Sequence, residues 1–176
     1  MFYESVWATN NNRDTHLCAY YVLARNSALK YTQSLQGETI DPFARNCSWG
    51  TITNDIDPSF DTHYNLDVIE FFDCLGSGIA KLILFDPPFS QRQCDEKYQH
   101  ADVNLYTTNK VSKALAECYR VLKPGGILVK LGYNSNMPNS HNWELLEVIL
   151  AHVGGNSNDI IVTIWRKGQY RLDEFA

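Results

Sequence analysis

The stretch Lys81-Leu82-Ile83-Leu84-Phe85-Asp86-Pro87-Pro88-Phe89 restricts the fold more than any other part of the chain. Its apolar run, Leu82 to Phe85, is continuous rather than alternating, the pattern of a strand covered on both faces as in a parallel sheet. Pro87 and Pro88 donate no ladder hydrogen bond, and a proline drives the residue before it into extended geometry. The strand therefore ends at Asp86. A carboxylate, the rigid carbonyl of Pro87 and the ring of Phe89 are left at its carboxyl end, the edge of an open α/β sheet where ligands bind. The plainer alternative is a proline-terminated strand whose Asp caps the next element.

The other elements agree with an α/β chain. Residues 1–14, with the cluster Thr9-Asn10-Asn11-Asn12, read as a loop. A helix is expected from Asp14 or Thr15, with Leu17, Tyr20, Tyr21, Ala24, Ala28, Tyr31 and Leu35 as its apolar face and Gly37 as its stop. A short strand over residues 39–41 runs into Asp41-Pro42-Phe43-Ala44-Arg45-Asn46-Cys47, and a second, from Thr51, ends in Asn54-Asp55. In nucleotide-binding α/β folds, an acid at that second strand end accepts hydrogen bonds from ribose hydroxyls. A turn before Pro58 is the structural reading of the same acid. Asp67 is placed to cap a helix carrying Val68, Phe71, Phe72 and Leu75, after a short third strand from His63. His63 reads as a surface or capping residue.

Residues 90–105 are polar and aperiodic, the pattern of a lid, a substrate contact or a plain surface connection. Thr107 or Thr108 then caps a helix with Val111, Ala114, Leu115, Cys118 and Leu122 inward. The turn Lys123-Pro124-Gly125-Gly126 leads into the buried strand Ile127 to Leu131, followed at the same edge by Tyr133 and Asn134. The segment 144–152 fits helix or strand; the Gly/Asn-rich turn and the β-rich run 159–165 after it favour a hairpin.

The Asp86-Pro87-Pro88-Phe89 segment resembles the DPPY/DPPF signature of S-adenosylmethionine-dependent amino-methyltransferases, the family that includes adenine-specific DNA methyltransferases. Asp41-Pro42-Phe43-Ala44 is similar to the start of that family's first cofactor motif. Arg45 and Cys47 stand where the family has glycines, which let the backbone approach the cofactor. The Leu-Lys-Pro-Gly-Gly turn is widespread among class I methyltransferases. The resemblance covers about residues 39–166. It implies a Rossmann-like, mostly parallel sheet with helices on both faces and a C-terminal antiparallel hairpin. It also implies one catalytic domain over 1–176, with an N-terminal loop and helix (1–37), a core (38–166) and no separate target-recognition domain. The implied cofactor is S-adenosyl-L-methionine, held by Asp41, Pro42, Phe43, Ala44, Asn46, Asp55 and Asp67. For Asp67, capping and contact with the cofactor's adenine are compatible. Asp86, Pro87, Pro88 and Phe89 become the catalytic group, and Phe89, Tyr133 and Asn134 the substrate contacts.

Function follows from what such a group can do. The lone pair of an exocyclic amine on a base is delocalised into the ring. Asp86 and the Pro87 carbonyl can each accept one N–H, localise that lone pair and stabilise the charge that develops on nitrogen. Phe89 would stack on a flipped or single-stranded base. The expectation is methylation of adenine in nucleic acid, DNA first, by a compact enzyme resembling small phage or prophage types. RNA, a nucleotide or a glutamine amide is the alternative acceptor, and a non-catalytic binding protein on the same fold is the third reading.

Composition bears on the partner. A net charge of −5 with no basic run is unusual for a protein that grips duplex DNA alone. Either basic residues cluster in space, or a second copy or recognition partner supplies the grip, or the substrate is not duplex DNA. The five cysteines have no zinc-type spacing, so no metal is expected. They read as free thiols in the reducing cytoplasm of a bacterium or phage-infected host. No signal peptide or membrane span is apparent, and no membrane partner is expected.

Overall fold

The computed structural model describes residues 2–7, 18–88, 109–137, 142–152 and 159–168. Among these residues, seven strands form one sheet in the order β1-β6-β7-β5-β4-β2-β3. They are β1 (Phe2–Trp7), β2 (Glu38–Asp41), β3 (Ile52–Thr53), β4 (Ala80–Phe85), β5 (Leu122–Gly132), β6 (Trp143–His152) and β7 (Ile160–Lys167). β7 alone is reversed, pairing antiparallel with β5 and β6, while every other pairing is parallel. The expected mostly parallel sheet with a C-terminal antiparallel pair is therefore present, and residues 144–152 are strand.

From β2 the chain steps outward to β3 and a single parallel bridge, Asn54 to Tyr64, then crosses back to β4 on the other side of β2. Strand order reverses between β2 and β4. A crevice outside their carboxyl ends is the ligand position in sheets of this kind. The expected third strand near His63 amounts to that one bridge.

Helices cover both faces. Helix α1 (Ala19–Thr32) lays Tyr20, Tyr21, Ala24 and Ala28 against Leu82, Leu84, Ile127 and Val129. Helices α2 (Val68–Asp73) and α3 (Lys110–Val121) pack on the opposite face against Ile83, Phe85 and Leu128. Alternate residues of β4 thus enter different cores, and Leu82 to Phe85 are all buried. This is the burial that the uninterrupted apolar run requires.

Asp67 caps α2 by accepting the Ile69 amide at 3.0 Å. Arg120 of α3 closes the other end, donating to the carbonyls of Phe72 (2.8 Å) and Leu75 (2.9 Å). Helix α1 stops at Thr32, earlier than expected, and Gly37 serves a different purpose. Its φ is +145°, and a Cβ there would lie 2.6 Å from the Ile79 carbonyl, so only glycine lets β2 start beside β4.

Two expectations are corrected. The amino-terminal segment is not wholly loop: Phe2–Trp7 forms the edge strand β1, parallel to β6. Short polar-and-aromatic alternation carries little strand signal until a partner edge exists to pair with it. The Lys123–Gly126 turn is folded into β5 as an arch. Register with β4 jumps from Ala80–Leu122 to Leu82–Ile127, and a Cβ on Gly126 would meet the Lys123 carbonyl at 2.8 Å. The helix starts are later than expected: α1 begins at Ala19 after an extended Cys18 rather than at residues 14–15, and α3 at Lys110 after a left-handed Asn109 rather than at residues 107–108. Residues 14–15 and 107–108 themselves lie outside the described residues.

Candidate active site at the sheet's carboxyl edge

Asp41 ends β2 and is 1% exposed. Its Oδ1 accepts the Phe43 amide at 3.2 Å and its Oδ2 the Tyr21 hydroxyl at 3.4 Å. Burial, and secondarily the charge of Asp86, raise its carboxyl to about 7. The Cys47 thiol hydrogen-bonds to Asp41 and is pushed up to about 12, by burial and then by that carboxylate. Asp86 follows Phe85 at the end of β4 and is half-buried. After burial, its charge is the next cause raising the Tyr20 hydroxyl, and with Asp41 it also raises Tyr21. Asp41, Asp86, Tyr20, Tyr21 and Cys47 therefore form one electrically coupled group at the switch point. Tyr20 and Tyr21 read from sequence as plain core; only the packing of α1 over β4 brings them to the acids.

The loop after β2 keeps a glycine-like course without the glycine. Arg45 has φ +48°, the left-handed conformation that costs an L residue roughly 1–2 kcal/mol. Its guanidinium lies over the Phe60 ring, 5.2 Å from the centroid. Pro42 and Ala44 are buried, Phe43 stacks edge-on against Phe85 at 5.3 Å, and Asn46 is exposed. Asp55, 1% exposed, accepts the Arg45 amide at 3.1 Å and the Asp57 amide at 3.0 Å. Burial raises its carboxyl, and the two amides partly offset that. Its neighbour Asn54 clamps the strand ends, donating to the carbonyls of Pro42 and Leu66, each at 3.1 Å, and accepting the Leu66 amide at 3.0 Å. Asp67, besides capping α2, pairs with Lys110 at 2.9 Å. His63 is exposed and bonds to Thr53 Oγ1 at 2.7 Å.

Beyond β4, Pro87 and Pro88 are buried and Phe89 lies outside the described residues. Pro87 lines a pocket of about 390 Å³ between the ends of β4 and β5 and the first turns of α3. Phe85, Val111, Leu115, Leu131 and Met137 make its apolar wall, and Lys130, Tyr133, Asn134 and Asn136 its polar side. An apolar concavity with a few convergent polar groups is the usual form of a small-molecule site. Tyr133 and Asn134 thus line the same pocket as Pro87. Lys130, which sequence reading passed over, lines the same pocket and is 7% exposed. The signal was there in Ile127-Leu128-Val129-Lys130-Leu131, one lysine inside a buried run.

Among the described residues, no group of three or more His, Cys, Asp or Glu is placed to hold a metal ion. No helix there is long and apolar enough to cross a membrane. Cys18, Cys47, Cys74 and Cys118 are free thiols.

The architecture is that of the class I methyltransferases, a Rossmann-like sheet with its one reversed strand near the carboxyl terminus. Residues 84–130 match the model of the methyltransferase domain family. The chain superposes on HI0767 of Haemophilus influenzae, a candidate methylase, with a TM-score of 0.55 at 13% identity, over 84% of this chain and 98% of that one. It superposes on the N-methyltransferase NodS of Bradyrhizobium japonicum, solved with S-adenosyl-L-homocysteine, with a TM-score of 0.54 at 11% identity, over 90% and 94%. TrmN of Thermus thermophilus gives 0.53 at 16% identity, over 83% of this chain and 48% of TrmN. No curated protein sequence matches the chain. The fold and the matched domain indicate S-adenosyl-L-methionine as the cofactor.

Proposed function

We propose that this chain is an S-adenosyl-L-methionine-dependent N-methyltransferase whose acceptor is the exocyclic amino group of adenine in nucleic acid, DNA first. The observation that carries the reading is the proline-terminated acid of β4, set at the switch point with a pocket on its Pro87 side. The cofactor is a cation at both its ammonium and its sulfonium, and it supplies an electrophilic methyl group when bound. Coupled carboxylates at Asp41 and Asp86 fit that charge. Arg45, placed over Phe60, is compatible with an open crevice.

Within this reading Asp41 and the loop through Pro42, Phe43, Ala44 and Asn46 hold the methionine part of the cofactor. Asp55 accepts from its ribose and Asp67 meets its adenine. Asp86 and the Pro87 carbonyl orient the acceptor amine, with Pro88 fixing their geometry and Phe89, Tyr133 and Asn134 contacting the base. The net charge of −5 favours a single-stranded or partner-presented substrate over unaided binding to a duplex. A second reading, a cofactor-free binding protein, is favoured by one observation. Both oxygens of Asp55 already accept backbone amides.

The test is transfer of labelled methyl to adenine-containing oligonucleotides, with RNA, nucleotides and glutamine peptides as competing acceptors. Asp86→Ala is expected to lower transfer at least 100-fold while S-adenosylhomocysteine affinity, by calorimetry, stays within a few-fold. Surviving transfer would refute the role of Asp86. Absent calorimetric heat in the unmodified protein would select the non-catalytic reading.

A further inference from the structure

Lys130 is an expensive residue for its position. It lies on β5, level with Phe85 of β4, inside an otherwise apolar run. Its Nζ donates to the Asn134 carbonyl at 3.0 Å and the Asn134 side-chain oxygen at 3.4 Å. Among the described residues no carboxylate pairs with it. Burial lowers its pKa to about 8, so at neutral pH it is still mostly an ammonium.

A buried cation without a counter-charge is unfavourable, and an apolar side chain of similar length would pack there without that penalty. Holding the loop at residues 133–136 does not account for the choice. Lys167 performs such a structural task elsewhere, donating to two carbonyls at 2.7 Å each, and it does not line this pocket. Lys130 differs in lining the cavity that Pro87 also lines. An ammonium has three N–H donors, and two are used by Asn134. The remaining one suits a hydrogen-bond acceptor on a ligand.

The pocket narrows the ligand's class. Its volume of about 390 Å³ suits a nucleobase with its sugar. Phe85, Leu115, Leu131 and Met137 offer an apolar slot for a flat ring, and Tyr133 stands 39% exposed at its rim.

We propose that Lys130 is a specificity-determining residue that donates a hydrogen bond to a ring nitrogen flanking the amino group of a heteroaromatic substrate. The assignment rests on the N-methyltransferase reading of this site and deepens it. It suits adenine-like rings, which pair an exocyclic amine with acceptor nitrogens; the apolar slot for a flat ring, rather than this hydrogen bond, discriminates against a glutamine amide, whose carbonyl oxygen also accepts.

The probes are adenosine, 1-deazaadenosine and 7-deazaadenosine, titrated calorimetrically into the protein saturated with S-adenosylhomocysteine. Loss of a charge-assisted hydrogen bond is expected to cost about 10-fold or more in affinity. The unmodified protein should bind adenosine and lose that factor with one of the two deaza analogues. Lys130→Met should bind all three alike, at the weaker level, with S-adenosylhomocysteine affinity unchanged. Should Lys130→Met fail to fold, Ser112→Trp provides the second variant, since Ser112 is exposed on α3 yet lines the pocket. It should abolish nucleoside binding and spare the cofactor product. The inference is overturned if the unmodified protein binds the cofactor product but no nucleoside, or does not discriminate among the three. It is equally overturned if Lys130→Met keeps the original discrimination, or if Ser112→Trp binds nucleoside normally. Failure to bind S-adenosylhomocysteine at all overturns instead the methyltransferase reading beneath it.

Discussion

Asp41→Asn gives the most direct reading of the acid cluster. The carboxyl of Asp41 stands at about 7 in the fold against 3.8 in a model peptide. A raised carboxyl binds its proton more tightly folded than unfolded. Its stabilising contribution is therefore complete below about pH 4 and is lost as pH rises toward 7. Each pH unit in that window removes about 1.4 kcal/mol, so about 4 kcal/mol disappears across it. Because Asp41 is fully buried, solvent screening does little to reduce this. Asparagine keeps the shape and can still accept from Phe43 through Oδ1, offers an NH2 donor where Oδ2 accepted from Tyr21, and does not titrate. Urea unfolding followed by tryptophan fluorescence from pH 4 to 8 is the assay. The difference in stability between the native protein and Asp41→Asn should fall through this window and level off above pH 7. Asp55, raised in the same direction, is present in both proteins and cancels. The ammonium at the amino-acid end of S-adenosylhomocysteine, held at Asp41, favours the ionised carboxyl, so its affinity should rise with pH up to about 7 and then stay flat. In Asp41→Asn it should be weaker and lack that rise. Parallel unfolding curves would refute the burial argument, and equal affinities would remove Asp41 from the cofactor site.

Two further outcomes check the neighbouring elements. Asp55→Ala should weaken S-adenosylhomocysteine binding at least several-fold by calorimetry, and an unchanged dissociation constant would refute the ribose role. It should also destabilise the fold by about 1–3 kcal/mol in urea, since the amides of Arg45 and Asp57 lose their acceptor. Arg120→Met should cost about 2 kcal/mol or more in the same assay, because it strips the partners from the Phe72 and Leu75 carbonyls. A loss below about 0.5 kcal/mol would show that water replaces the guanidinium there.

Taken alone, the order of residues along the chain determined the parts that depend on local chemistry. An unbroken apolar run this short, stopped by Asp86 and two prolines, favours a buried strand ending at a sheet's rim. Asp67 before Val68 can cap without help from distant residues, and a β-rich run after a Gly/Asn-rich turn pairs with the strand before it. Tertiary structure decided what depends on distant partners. Phe2–Trp7 became a strand because the edge of β6 was available to it. Tyr20 and Tyr21 joined the acids because α1 crosses β4. Arg45 could replace a glycine because Asp55 accepts its amide while Phe60 receives its side chain. Lys130 acquired meaning only when β5 was laid beside β4, since a lysine's burial beside a pocket is a property of its neighbours in space.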